Sequence, residues 1–154
     1  MKKEYDLIIL GGGPGGYVAS IRASQLGLKT ALVEKEKLGG TCLHKGCIPT
    51  KALLRSAEVY QQTKQAAEFG VLTEEVKLDF TKVQERKGKI VSQLHQGVLH
   101  LMKKGKIDIY EGFGSIQSSF PEITLSVNGN TLLTSKHLII ATGSRPKTLP
   151  GLEI

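Results

Sequence analysis

Six consecutive residues, Gly11-Gly12-Gly13-Pro14-Gly15-Gly16, stand between an apolar run and a helix-forming run, and they constrain the fold more than any other feature of this chain. Before them, residues 5–10 (YDLIIL) are rich in leucine and isoleucine, as a buried parallel strand requires. After them, Tyr17–Leu26 has helix-forming composition and is closed by Gly27 as a C-terminal stop. Thr30–Val33 is a second apolar strand, ending at Glu34. Strand, glycine turn, helix and strand together make about 30 residues, the size of a βαβ unit. Such a unit calls for a parallel sheet, so the expected fold class is α/β and Rossmann-like.

Gly11, Gly13 and Gly16 match G-x-G-x-x-G in the required strand-to-helix context. The first glycine permits the tight turn, the second lets backbone approach a pyrophosphate, and the third allows close helix–strand packing. The helix N-terminus adds free N–H groups and partial positive charge. Glu34 follows Gly11 by 23 residues, where a carboxylate can accept hydrogen bonds from adenosine ribose hydroxyls. The competing reading is a glycine-rich turn with no ligand. The loop alone does not separate NAD from FAD, since both carry an ADP half.

The stretch GGTCLHKGCIPTK, residues 39–51, holds the chain's only two cysteines, Cys42 and Cys47. An undistorted helix would hold their Cα atoms farther apart than the roughly 7 Å limit for a disulfide. A bond therefore needs a local break, which Gly46 and Pro49 favour, the latter by lacking an N–H to bond back to residue 45. A disulfide in imperfect geometry is easily reduced and suits exchange better than stapling. Cys47 falls near a helix start, where the dipole favours a thiolate. The alternatives are two unrelated buried thiols, or a zinc site on Cys42, His44 and Cys47, for which the spacing is unusual and no second ligand pair exists.

Beyond residue 41 the pattern turns helical. One helix is expected over 47–69, using Ala52, Leu53, Ala57, Tyr60 and Phe69 as apolar positions. A second is expected over 80–103, where Val83, Ile90, Val91, Leu94, Val98, Leu101 and Met102 form an amphipathic stripe. Lys82, Arg86, Lys89 and Lys103 lie on its other face as solvent contacts, and Gly105 ends it. Residues 107–110 read as a third parallel strand. Residues 113–118, 123–128 and 131–134 read as an antiparallel meander with Asn128-Gly129-Asn130 as its tight turn, and 137–141 as a final strand. The expected sheet order is 3-2-1 around the glycine loop, with helices on both faces and the meander to one side.

Composition sets limits on function. The net charge is +7, and its lysines and arginines are scattered over 2–3, 35–37, 82–89, 103–106 and elsewhere without interleaved aromatics, which reads as a solvated basic face or a field that favours an anionic cofactor and not as a nucleic-acid site. No apolar stretch approaches the roughly 20 residues needed to span a bilayer, and Leu7–Leu10 is too short for a signal peptide. Two closely spaced cysteines in such a chain point to a redox pair and a cytoplasmic location.

With these residues in view, the chain resembles the pyridine nucleotide–disulfide oxidoreductases, and within them the dihydrolipoamide dehydrogenase branch. The likeness runs through GGGPGGYVA, the Glu34-Lys35 strand end, GGTCLHKGCIPTK, EGFGSI and IIATGSRP. Leu43 and Ile48 favour that branch, since glutathione and mercuric reductases usually carry valine there. His44-Lys45 replaces the branch's commoner Asn-Val pair. The resemblance implies FAD as cofactor, with its ADP half on Gly11–Gly16 and Glu34-Lys35, and with Gly40 and Thr41 on the pyrophosphate and flavin side. It implies that Cys42 exchanges with substrate and Cys47 faces the flavin, with Lys51 supplying positive charge beside it. Gly114 matches a backbone contact to adenine, and Thr142-Gly143 a second turn close to the cofactor. None of the metal-ligand patterns is implied.

The same resemblance implies that residues 1–154 are one FAD-binding domain with a redox-active disulfide. The NAD-binding, central and dimer-interface domains of the family would lie beyond Pro150–Ile154. The parent would be a homodimer that oxidises dihydrolipoamide on a lipoyl domain of an acyltransferase component and reduces NAD, within a 2-oxo acid dehydrogenase complex. The 154 residues alone are expected to be inactive. His44, His95, His100 and His137 lie outside the family's later acid–base motif and inherit no role from it. A sister disulfide reductase and a non-catalytic flavin-binding module remain the alternatives.

Overall fold

The structure, a computed structural model, describes residues 2–149 and 151, so most of the 150–154 segment lies outside the described residues. In chain order it has β1 (Lys2–Leu10), α1 (Pro14–Gln25), β2 (Thr30–Glu34), α2 (Gly40–His44) and α3 (Cys47–Lys64). A 3₁₀ turn (Ala66–Phe69), α4 (Phe80–Lys104), β3 (Asp108–Glu111), β4 (Gly114–Ser118), β5 (Ile123–Val127) and β6 (Thr131–Ile140) follow. The six strands form one sheet in the order β3-β2-β1-β6-β5-β4. β1 pairs in parallel with β2 and β6, and β2 with β3, which is the 3-2-1 order expected around the glycine loop. β4, β5 and β6 pair antiparallel as the meander.

Two cores flank the sheet, and they correct the expectation of helices on both faces. On one side Leu7, Ile9 and Leu32 of the strands bury against Ala23 of α1 and Val98 and Met102 of α4. On the other, Tyr5, Ile8, Ala31 and Val33 bury against Leu125, Val127 and Leu133, so that face is covered by the meander's own strands. The alternation of side chains along β1 explains how one strand feeds both cores: Leu7 and Ile9 point one way, Ile8 the other.

Local differences from the expected elements have local causes. The two strands expected at 131–134 and 137–141 are one ten-residue strand. Its polar middle does not break it, because Ser135 is buried and its hydroxyl donates to the His137 carbonyl at 2.7 Å. The helix expected to reach residue 69 ends at Lys64, and its last turn tightens into 3₁₀ before Gly70 at φ +75°. Of the stripe on α4, Val98 and Met102 are buried, whereas Leu94 and Leu101 are exposed. Arg86 is more than a solvent contact: its Nη1 donates to the Ala52 carbonyl at 3.0 Å and ties α4 to α3.

Other signals hold. Gly27 follows α1 at φ +81°, the left-handed stop expected of it. Asn128 and Gly129 both have positive φ, as a two-residue hairpin turn of the primed type requires, and Asn130 N–H closes it onto Val127 at 3.1 Å. The Asn128 side chain also accepts from Phe113 N–H at 2.8 Å, fixing the chain that leads from β3 into β4. Among the described residues, no helix is long and apolar enough to cross a membrane.

Candidate functional site

The site forms where the parallel strands end. Gly11 leaves β1 at φ +105°, and a Cβ there would overlap the Ala141 carbonyl and lie 2.9 Å from Thr142 nitrogen. A Cβ on Gly16 would overlap the Gly11 carbonyl, so the first turn of α1 lies directly on the loop. These are the close approaches that the first and third glycines of the motif provide. Gly13 caps α1 with extended backbone, and no side chain caps the helix, which leaves its first N–H groups open toward an anion. Ala141 N–H donates to the Leu10 carbonyl at 2.8 Å, bringing Thr142 to the loop.

Glu34 has a double task. Its Oε2 accepts from Gly12 N–H at 2.6 Å and its Oε1 from Glu36 N–H at 2.8 Å. The carboxylate pins both the loop and the turn after β2, and each oxygen keeps a lone pair for a hydroxyl donor. Lys35 is exposed on that turn. Gly112 N–H donates to the Glu34 carbonyl at 2.8 Å, so the entry to β4 lies beside the same strand end. Gly114 itself is a packing glycine, since a Cβ would press on Leu10, on Val33 at 3.1 Å and on Leu125 at 3.3 Å. Gly143 has positive φ in open space.

The cysteine segment folds against this loop. Gly39 N–H donates to the Gly12 carbonyl at 2.8 Å. A Cβ on Gly40 would come within 2.8 Å of Gly13 Cα and 3.4 Å of Pro14 Cδ. The glycines therefore let two separate motifs touch. Cys42 sits in the short α2, and Cys47 is the first residue of α3, with the break at Lys45-Gly46 between them. Gly46 permits the return: a Cβ there would lie 3.1 Å from the Thr41 carbonyl and 3.4 Å from Cys42 Cα. Thr41 is exposed.

Both cysteines are free of a disulfide bond in this structure, Cys42 half-buried and Cys47 exposed. Cys42 is held above the usual thiol range, first by its side-chain hydrogen bond with Cys47 and then by desolvation, while the nearby Lys51 charge pulls the other way. The return at Gly46 brings the two cysteines together at the junction of α2 and α3, and Lys51 lies one turn along α3 from Cys47. What sequence reasoning missed is the hold on α2. His44 Nε2 and His95 Nδ1 both reach the Leu38 carbonyl, at 2.8 and 2.9 Å, and the rings meet edge to face at 5.1 Å. Their separation in sequence leaves no local signal.

The family model for pyridine nucleotide-disulphide oxidoreductases matches residues 5–153. The chain belongs to that family. It is 64% identical to a dihydrolipoyl dehydrogenase of Bacillus subtilis, across 100% of this chain and 34% of that protein. It is 54% identical to a dihydrolipoyl dehydrogenase of Acholeplasma laidlawii, across 99% of this chain and 45% of that one. The chain thus spans between a third and a half of the length of these relatives. In three dimensions it superposes on the HOCl-induced flavoprotein disulfide reductase RclA from Escherichia coli, solved as a Cu(II) complex, with TM-score 0.76 at 24% identity. That match covers 96% of this chain and 30% of RclA, and it shows a shared fold.

Proposed function

We propose that the chain is the FAD-binding, disulfide-bearing domain of a flavin-dependent disulfide oxidoreductase of the dihydrolipoyl dehydrogenase type. The observation that supports it most is the contact of the phosphate loop with the redox segment through Gly13 and Gly40, with two neighbouring thiols just beyond. The residues fit an ADP-bearing cofactor: the uncapped N-terminus of α1 faces a loop in which backbone leaves no room for a side chain at Gly11 and Gly16, and Glu34 presents carboxylate oxygens at the strand end. Gly11, Gly13 and Gly16 would hold the pyrophosphate, Glu34 and Lys35 the ribose side, and Gly40, Thr41, Thr142 and Gly143 the flavin side. Gly114 acts through the packing that sets the adenine end. When bound, FAD supplies a two-electron acceptor beside the dithiol.

The thiols do the rest. A substrate thiolate attacks Cys42 Sγ of the oxidised pair, breaking the protein S–S bond and releasing Cys47 as thiolate. The second substrate thiol then attacks the mixed disulfide, closing the substrate's own S–S bond and releasing Cys42. The substrate has lost two electrons and two protons, and the protein pair has gained the electrons. The hydrogen bond with Cys47, together with desolvation, favours the protonated form of Cys42. Lys51 steadies negative charge on that side. The substrate would be dihydrolipoamide on a lipoyl domain of an acyltransferase component. NAD would be the final acceptor, in a cytoplasmic homodimer serving a 2-oxo acid dehydrogenase complex.

The test needs only the purified chain. Added FAD should lose fluorescence on binding, and thiol titration after mild oxidation and again after reductant should differ by the two cysteines. Cys42→Ser should abolish that difference. A chain that quenches no flavin and keeps both thiols free after oxidation would end this reading.

A further inference from the structure

We propose that His44 and His95 are positioning residues for the cysteine pair, holding α2 at the distance from α3 that lets Cys42 and Cys47 meet. The inference rests on the redox reading above but goes beyond it.

The geometry is specific. α2 has five residues, ends without a side-chain cap, and is too short to hold its own place. Leu43 anchors one side of it, packed under Gly39, whose Cβ position lies 2.6 Å from Leu43 Cδ2. His44 anchors the other through Nε2 to the Leu38 carbonyl. That carbonyl has two lone pairs, and His95 Nδ1 takes the second. A carbonyl only accepts, so each ring must present an N–H there, which fixes His44 with its proton on Nε2 and His95 with its proton on Nδ1. His95 stands on α4 one turn before Val98, which is buried in the sheet core with Met102. The chain of contacts therefore runs from the core, through α4 and the Leu38 carbonyl, to the residue between the two cysteines. Lys45 adds a surface tie, its Nζ 3.1 Å from Glu36 Oε2.

Loosening the hold should lower the effective concentration of one thiol at the other. In a buffer of reduced and oxidised dithiothreitol, two protein S–H bonds are lost and one S–S bond forms. The buffer's disulfide takes up the two electrons and two protons. His44→Ala and His95→Ala should each lower the equilibrium constant for protein disulfide formation about 3- to 10-fold, the span of one lost hydrogen bond. The double variant should fall short of the product of the two, because both singles break one junction. His44→Gln and His95→Asn keep a donor near the same place and should stay within about twofold of the unaltered chain, as should the exposed control His137→Ala.

A purely structural role would lower the denaturation midpoints of oxidised and reduced chain alike and leave this equilibrium unmoved. Alanine variants that exchange like the unaltered chain, or Gln and Asn variants as impaired as alanine, would overturn the proposal. Phenylarsine oxide, which bridges two close thiols, gives a second reading on the reduced chain. If no disulfide forms at any buffer ratio, the redox reading fails. The positioning claim is then judged by this probe alone, and it stands only if the alanine variants bind it more weakly.

Discussion

The glycine loop and the cysteine segment touch each other, yet they are built on opposite principles. The loop is shaped by what is missing: Gly11 and Gly16 sit where a single methyl group would occupy the space of a backbone carbonyl. The cysteine segment is shaped by what is added: a leucine, two histidines and a lysine pull a five-residue helix into place. Steric exclusion by backbone is rigid here, because the Gly11 and Ala141 peptide groups directly follow paired strands and cannot shift without disturbing them. Side-chain holds are each worth on the order of 1 kcal/mol and give way one at a time. The loop should therefore behave as a fixed cradle, and the thiol pair as an adjustable device beside it.

The strongest way to break that contrast is to place a methyl group in each region. Gly16→Ala drives Cβ into the Gly11 carbonyl, and neither partner can move without parting α1 from β1. It should cost roughly 3–5 kcal/mol or abolish folding, and flavin binding with it. Thermal denaturation read beside the unaltered chain measures this, and a loss below about 1 kcal/mol would show the loop to be pliant.

Gly46→Ala is the milder counterpart. Its Cβ would meet the Thr41 carbonyl at 3.1 Å and Cys42 Cα at 3.4 Å, contacts that a shift of a few tenths of an ångström relieves. It should cost about 1–2 kcal/mol, with the chain still folded and flavin binding retained. The shift must come from α2, so the disulfide equilibrium should move while the loop does not. If flavin affinity falls as far as in Gly16→Ala, the two regions are one rigid body and the contrast is lost.

The same contrast explains what could be read from sequence. A steric requirement dictates residue type, so Gly11, Gly13 and Gly16 announce the loop, and the flanking apolar runs announce β1 and β2. The Asn128-Gly129 turn was legible for the same reason, since positive φ selects those residues. Side-chain holds between distant residues leave no such mark. Nothing near His44 points to His95, and nothing near Leu38 marks its carbonyl as their common acceptor. α2 is too short to show a period, and glycines bound it on one side. The single long β6 was hidden by Ser135-Lys136, whose polarity reads as a break until Ser135 is seen to bond within the strand. That the second face of the sheet is covered by strands and not helices depends on how the meander folds over, a long-range outcome that local composition does not encode.

The smallest expected effect tests the electrostatics of the adjustable region. Lys51 is exposed on α3, and its charge opposes the rise that Cys47 and desolvation impose on the Cys42 thiol. Lys51→Gln removes that opposition, so Cys42 should ionise at still higher pH, by a small step because the lysine is exposed to solvent. The sign carries to stability. A folded-state thiol raised above its unfolded value stabilises the reduced chain fully below the unfolded value and loses that contribution as pH rises through the folded one. Lys51→Gln should therefore push the loss to higher pH, and the oxidised chain, having no thiol to ionise, should show no such dependence. The measurement is the pH profile of iodoacetamide reaction at Cys42 in a Cys47-containing chain, resolved by mass spectrometry of the labelled peptide. Added salt should mimic the substitution in the unaltered chain and do less in the variant, because screening removes the same charge interaction. A downward shift, or an equal salt response in both, would mean that Lys51 does not act on the pair and that the thiols answer only to each other.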